Sequence, residues 1–91
     1  MNGIQTIAAI LRQEGVDWLA CFPSNPLINA AADLGIRPVA FRHERGAMMA
    51  ADGYSRLSGR QRFGVAAVQS QAGAENIMGG LAQAYADNVP V

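Results

Sequence analysis

The sequence predicts an α/β fold, in which a parallel sheet carries helices on both faces. Short runs that are apolar throughout alternate with amphipathic segments, in the order α-β-α-β-α-β-α. Strands without a polar side are typical of parallel sheets, because helices cover both faces of such a sheet. The 91 residues suffice for one small domain, and their 51% apolar content and zero net charge exclude a disordered tail.

The first helix and the first strand are predicted from boundary residues and spacing. Asn2 can cap the helix, and Gly15 is suited to follow its end. The apolar residues of the helix recur with helical spacing and are Ile4, Ile7, Ala8 and Leu11. Residues 17–22 are apolar and predict a buried strand, and two prolines mark a turn over residues 23–26.

The middle of the chain continues the alternation. A short helix is expected over residues 27–34 and a second strand over residues 38–41. Residues 44–57 predict a longer helix. The apolar face expected for this helix consists of Ala47, Ala50, Ala51, Tyr54 and Leu57.

The last third predicts a third strand over residues 63–68, a tight loop over residues 69–73 and a helix over residues 74–86. The residues expected to share one face of that helix are Ile77, Leu81, Ala84 and Tyr85. Residues 88–91 have the pattern of a fourth strand beginning. Because the predicted sheet would be left with open edges, we expect these residues to be part of a larger domain.

Polar loops follow each predicted strand, over residues 23–26, 42–46 and 69–76. Ligands of open α/β sheets bind beyond the carboxyl ends of the strands, so these loops are expected to converge on one edge. Glu44 is the strongest candidate, although a glutamate in the first turn of a helix also interacts favourably with the helix dipole. His43, the single histidine, can equally be a structural residue.

Several classes of function are excluded or disfavoured by composition. The single Cys21 and His43 lie far apart, so metal-ligand spacing is absent. There is no glycine-rich phosphate loop and no lysine. Balanced charge disfavours nucleic-acid binding, and no apolar run or signal peptide indicates a membrane or export. We expect a cytoplasmic protein.

Specific motifs resemble a known family over essentially the whole chain. Residues 42–47 (RHERGA) and 51–56 (ADGYSR) resemble the RHE-x-GA…ADGYAR signature of thiamine-diphosphate enzymes of the acetolactate synthase type. Further segments match family motifs in the same order. Gly15-Val16 and Cys21-Phe22-Pro23 resemble the family's GV…FGxPG. Residues 70–76 (SQAGAEN) resemble its SGPGATN, and residues 80–90 (GLAQAYADNVP) resemble its GIATAYxDxVP. The resemblance implies that residues 1–91 are the N-terminal part of the pyrimidine-binding domain.

In that family a glutamate exchanges a proton with N1′ of the cofactor aminopyrimidine, and the resemblance gives Glu44 this catalytic role. An apolar site that disfavours the carboxylate is expected to raise the pKa of such a glutamate. The residues implied to bind thiamine diphosphate are Pro23, Ser24, Asn25, Glu44, Ser70, Gly73 and Asn76. No metal ligand is expected within this chain.

The resemblance also implies the rest of the enzyme. Mg²⁺ and the cofactor diphosphate are expected to bind a separate domain, and the site is expected to form between subunits of a homo-oligomer. The substrate class is a 2-keto acid or a related acyl donor, and the enzyme is a lyase or a transferase. These 91 residues alone are expected to be inactive. Some relatives hold FAD, for which nothing in these residues gives support.

Two departures from the family pattern leave an alternative open. Ser24-Asn25 replace a Gly-Gly pair, and Gln71-Ala72 replace a glycine and a proline, so side chains enter the rim of the expected pocket. A non-catalytic interaction or regulatory module that retains the fold is therefore the second hypothesis. A flavodoxin-like nucleotide binder is the third, and the missing phosphate loop argues against it.

Overall fold

A computed structural model describes residues 1–23 and 25–91. The elements, in chain order, are α1 (Gly3–Gln13), β1 (Trp18–Cys21), α2 (Pro26–Asp33), β2 (Arg37–Ala40), α3 (Glu44–Leu57), β3 (Ala66–Ala67), α4 (Ala72–Asn76) and α5 (Met78–Ala86). The strands are parallel, in the order β2-β1-β3. The predicted α/β fold with a parallel sheet is confirmed.

The helix boundaries follow from local chemistry. Asn2 accepts a hydrogen bond from the backbone N–H of Gln5, and the Gln5 side chain accepts one from the backbone N–H of Asn2. This reciprocal capping box satisfies backbone donors that a helix start otherwise leaves open. Gly15 follows α1 with φ +86°, a left-handed conformation that glycine adopts without strain.

The helices pack on the two faces of the sheet. The first core cluster joins β1 to the α1–α2 side, and its buried members are Val16, Leu19, Cys21, Ala31, Ile36 and Ala67. The second cluster lies on the α3–α5 side, where Met48, Ala84 and Val89 pack with Ala66. Because successive strand residues point to opposite faces, Ala66 and Ala67 belong to different clusters.

The chain passes close to the backbone of α3 at Gly64, just before β3. A Cβ atom at Gly64 would overlap the backbone of Ala51. The approach is fixed by Ser55, whose Oγ donates to the Ala51 carbonyl at 3.0 Å and accepts from the Gly64 N–H at 2.8 Å. The sheet edge can therefore lie directly on the helix backbone only because residue 64 has no side chain.

An ion-pair group ties the carboxyl end of α5 to α3. Arg56 Nε lies 2.7 Å from Asp52 Oδ1, and Arg56 Nη2 lies 2.8 Å from Asp87 Oδ2. Asp52 is buried, and these two carboxylates raise the pKa of the Arg56 guanidinium. Arg60 Nη2 also donates to the Asp87 carbonyl. These contacts give the ADGYSR segment a structural role.

Three predictions for the last third of the chain are wrong. The helix predicted over residues 74–86 is two helices, α4 and α5, with a break at Ile77 that precedes the poor helix formers Gly79 and Gly80. Residues 88–91 form no strand, and Val89 instead fills the second cluster. The apolar face predicted for residues 74–86 is wrong at Tyr85, which is 84% exposed.

The predicted apolar face of α3 is also wrong at one end, because Leu57 is 92% exposed. Ala47 and Ala51 are buried as expected, together with Met48 and Ser55. Within residues 1–23 and 25–91, none of the helices has the length and apolarity that crossing a bilayer requires.

The close approach at Gly64 predicts opposite effects for two glycine substitutions. Gly64→Ala forces a methyl group into the Ala51 backbone, and we expect a loss of about 1–3 kcal/mol in the free energy of unfolding. The matched control is Gly53→Ala within α3, where a Cβ meets nothing within 4 Å. That substitution is expected to stabilise by about 1 kcal/mol, because alanine is the better helix former. Urea unfolding followed by circular dichroism measures both, and equal effects of the two variants would contradict the packing described.

Candidate active site at the carboxyl edge of the sheet

The loops that follow the three strands meet at one edge, as the sequence predicts. Asn25 Nδ2, after β1, donates to the carbonyl of Val68, after β3, at 3.3 Å. Asn76 Nδ2, at the end of α4, donates to Glu44 Oε1, at the start of α3, at 3.0 Å. Side-chain hydrogen bonds thus join the first loop to the third and the third to the second.

Glu44 is the first residue of α3 and lies at the centre of this edge. It is only 5% exposed, although it is charged. One carboxylate oxygen accepts from Asn76, and the other faces Gly73, where a Cβ would lie 2.8 Å from Glu44 Oε2. The glycine therefore leaves the space that the carboxylate occupies, and any side chain at residue 73 would displace it.

In this chain the pKa of Glu44 is below its ordinary value, which is the opposite of the direction expected for an apolar site. The largest cause is the hydrogen bond from Asn76, followed by the backbone N–H of Glu44 itself. Both favour the carboxylate and outweigh burial, which acts in the opposite direction.

His43 has a structural role in placing Glu44. It is the residue that caps α3, and its Nδ1 accepts from the Arg45 backbone N–H at 3.0 Å. This bond requires Nδ1 to be unprotonated. The cap fixes the residue directly before Glu44, so the carboxylate leaves the helix start in a defined direction.

Asn25 explains one departure from the family pattern. Its Oδ1 accepts from the Leu27 N–H at 2.9 Å and so caps α2, while its Nδ2 reaches Val68. A glycine at residue 25 could make neither bond. Ser24 lies outside the described residues, so its predicted role stays a prediction.

Of the other predicted site residues, some lie at the Glu44 carboxylate and others lie exposed along the edge. Gly73 and Asn76 contact the Glu44 carboxylate. Pro23 and Ser70 are exposed at the same edge, and Pro23 lines a concavity of about 280 Å³ with Asn25. The sequence analysis did not single out Gln69, whose Oε1 accepts from the backbone N–H groups of Gln71 and Gly73. A polar residue between a strand and a glycine loop is the signal that could have found it.

Another concavity of the surface lies away from the residues around Glu44. This concavity, of about 590 Å³, is lined mainly by apolar residues of α1 and α2 and by none of the residues around Glu44. In the part of the chain that the structure describes, no three His, Cys, Asp or Glu side chains come together as metal ligands.

Comparison with known proteins gives a consistent result over the full length of the chain. Residues 1–91 match the family model described as thiamine pyrophosphate enzyme, N-terminal TPP binding domain. The chain is 40% identical to the acetolactate synthase isozyme 2 large subunit of Escherichia coli, over 100% of this chain and 17% of the relative.

Two further relatives extend the comparison. The chain is 37% identical to the acetolactate synthase large subunit of Lactococcus lactis, over 99% of this chain and 16% of that protein. It is 39% identical to a probable 2-ketoarginine decarboxylase of Pseudomonas aeruginosa, over 96% of this chain and 16% of that protein. The chain thus spans only a small part of the length of the curated relatives it matches.

The hydrogen bond from Asn76 predicts how Glu44 titrates. Asn76→Leu removes the largest cause of the lowered pKa, so the Glu44 midpoint is expected to rise. Nuclear magnetic resonance of ¹³Cδ-labelled glutamate measures it, because the sequence has only Glu14, Glu44 and Glu75 to distinguish. An unchanged midpoint in Asn76→Leu would contradict this account of the Glu44 pKa.

The same shift sets the sign of the pH dependence of stability. A carboxyl group with a lowered pKa in the folded state stabilises the fold above its unfolded pKa, and this contribution is lost as the pH falls through the folded pKa. Asn76→Leu is therefore expected to flatten the loss of stability at acid pH. Urea unfolding at neutral and at acid pH, with Gln83→Leu at an exposed position of α5 as the control, measures the difference.

Proposed function

Because this chain belongs to the thiamine pyrophosphate enzymes, as their N-terminal TPP binding domain, we propose that it supplies the glutamate that activates the cofactor. The residue is Glu44. The enzyme that carries the chain acts on 2-keto acids or related acyl donors, as an acetolactate synthase-like carboligase or decarboxylase. The relatives are named as an acetolactate synthase and a probable 2-ketoarginine decarboxylase, and these names support this range of reactions.

The observation that carries the proposal is the placement of one buried carboxylate. Glu44 lies at the carboxyl edge of the sheet, where α/β proteins bind their ligands. Asn76 orients one of its oxygens through a hydrogen bond, and Gly73 leaves space for the other because it has no side chain. A charged group that is 5% exposed, with no cation paired to it among the described contacts, is unusual unless its chemistry is used.

The residues at this edge fit an aminopyrimidine ring. A carboxyl group can donate or accept a proton at a ring nitrogen, and a glycine beside it allows a flat ligand to approach the backbone. When bound, thiamine diphosphate supplies the carbanion chemistry of the reaction, and the protein supplies placement and electrostatics. Pro23, Asn25 and Ser70 would form the rim around the ring.

Glu44 must hold a proton to fulfil this role. Because Oε1 already accepts from Asn76, we expect the proton on Oε2. In the chain by itself the pKa of Glu44 is lowered, so exclusion of water by the rest of the enzyme has to reverse the direction of that shift. We therefore propose that Glu44 becomes a proton carrier only after this edge is covered.

The remaining parts of the activity belong to the whole protein. This chain covers 16–17% of the length of the relatives reported above. We propose that a further domain holds the diphosphate and Mg²⁺, and that the site forms between subunits of a homo-oligomer. The non-catalytic alternative gains no support from Asn25, since this departure has a structural use in the loop.

The decisive experiment replaces Glu44 in the protein that carries this chain. Glu44→Gln keeps the size of the side chain but cannot exchange a proton. We expect the rate of hydrogen–deuterium exchange at C2 of thiamine diphosphate, measured by proton NMR after acid quench, to fall by about 100- to 10,000-fold. Exposed Glu75→Gln, one residue before Asn76, is the matched control and should leave the rate unchanged. A Glu44→Gln protein with the full exchange rate would exclude the proposed role.

A further inference from the structure

The side chain of Gln69 holds the start of α4 from outside the helix. Its Oε1 accepts from the backbone N–H of Gln71 at 2.8 Å and from that of Gly73 at 3.1 Å. Gln71, the residue at the cap position of α4, makes no side-chain capping bond of its own. Gln69 therefore supplies the acceptor that the first turn of a helix otherwise lacks.

The backbone that Gln69 holds is also the backbone that contacts Glu44. A Cβ built on Gly73 would lie 2.9 Å from Gln69 Cβ and 2.8 Å from Glu44 Oε2. Both side chains therefore lie close to the space that a side chain at residue 73 would need. The same five-residue helix ends at Asn76, which donates to Glu44 Oε1. One acceptor atom therefore fixes the element that touches both oxygens of the carboxylate.

We infer that Gln69 is a positioning residue for Glu44, which it orients through α4 by fixing Gly73 and Asn76. Its Oε1 has two lone pairs, and both are used by the backbone N–H groups, so this atom is not left to bind a ligand. The orientation of Glu44 follows from the geometry alone. Its consequence for the reaction rests on the proposed function.

Two variants distinguish the effect of the acceptor oxygen of Gln69 from the effect of the size of its side chain. Gln69→Leu has a similar size but accepts no hydrogen bond, whereas Gln69→Glu retains acceptor oxygens. Gln83→Leu, at an exposed glutamine of α5, is the matched control for introducing leucine. If Gln69→Leu fails to fold by circular dichroism, Gln69→Ala removes the same acceptor without adding apolar bulk.

The first measurement needs no cofactor. Amide hydrogen exchange of Gln71 and Gly73 is expected to be about two- to tenfold faster in Gln69→Leu, in proportion to one lost hydrogen bond. The ¹³Cδ resonance of Glu44 is expected to shift or broaden in the same variant, while that of Glu14 stays in place. Gln69→Glu and Gln83→Leu should keep the exchange rates of the original chain. Unchanged amide exchange, or an unchanged Glu44 resonance, in Gln69→Leu overturns the inference.

The second measurement is turnover of the protein that carries this chain. We expect kcat to fall by about tenfold to 100-fold in Gln69→Leu with little change in KM, because misplacing a reacting group reduces the rate more than substrate binding. Gln69→Glu should recover most of kcat. An unchanged kcat in Gln69→Leu, in an enzyme that Glu44→Gln inactivates, overturns the positioning role. Failure of the proposed function is distinguishable, since Glu44→Gln would then keep its activity whatever Gln69 does.

Discussion

The hydrogen bond from Asn76 Nδ2 to Glu44 Oε1 is the contact on which the arrangement of the candidate site depends. It joins the first residue of α3 to the last residue of α4 over a separation of 32 positions. Each partner is held in turn by a local device: His43 caps the helix that starts with Glu44, and Gln69 fixes the helix that ends with Asn76. The bond therefore forms between two elements whose backbone is already fixed, so little backbone freedom remains to be lost when it forms.

Much of this could be predicted from the sequence, for reasons that particular residues make clear. The bounds of α3 were predicted correctly because Glu44 follows a short apolar strand and Leu57 precedes a Ser-Gly pair. The convergence of Glu44, Gly73 and Asn76 follows from the parallel sheet alone, since its loops share an edge. Periodicity also identifies which residues share a helix face, but it does not show where the neighbouring layer ends. Leu57 and Tyr85 are exposed for that reason.

The electrostatic state of Glu44 could not be predicted in the same way. The sequence shows a carboxyl group at the end of an apolar strand, which suggests desolvation and a raised pKa. In this structure the pKa of Glu44 is lowered instead, because a donor 32 positions away and the local backbone N–H stabilise the charge. Gln69 was missed for a similar reason. Its partners are backbone groups of its own loop, so the signal in the sequence is a single polar residue between a strand and a glycine loop.

The ionised resting state of Glu44 has a thermodynamic consequence for anything that binds over it. A ligand that requires the protonated carboxyl must take a proton from solvent as it binds, since the free chain holds Glu44 below its ordinary pKa. Its observed affinity then rises as the pH falls, and its binding enthalpy depends on the ionisation enthalpy of the buffer. Asn76 thus stabilises the carboxylate form of Glu44 in the empty site, whereas such a ligand binds the protonated form. The uptake of one proton would be the calorimetric signature of that selection.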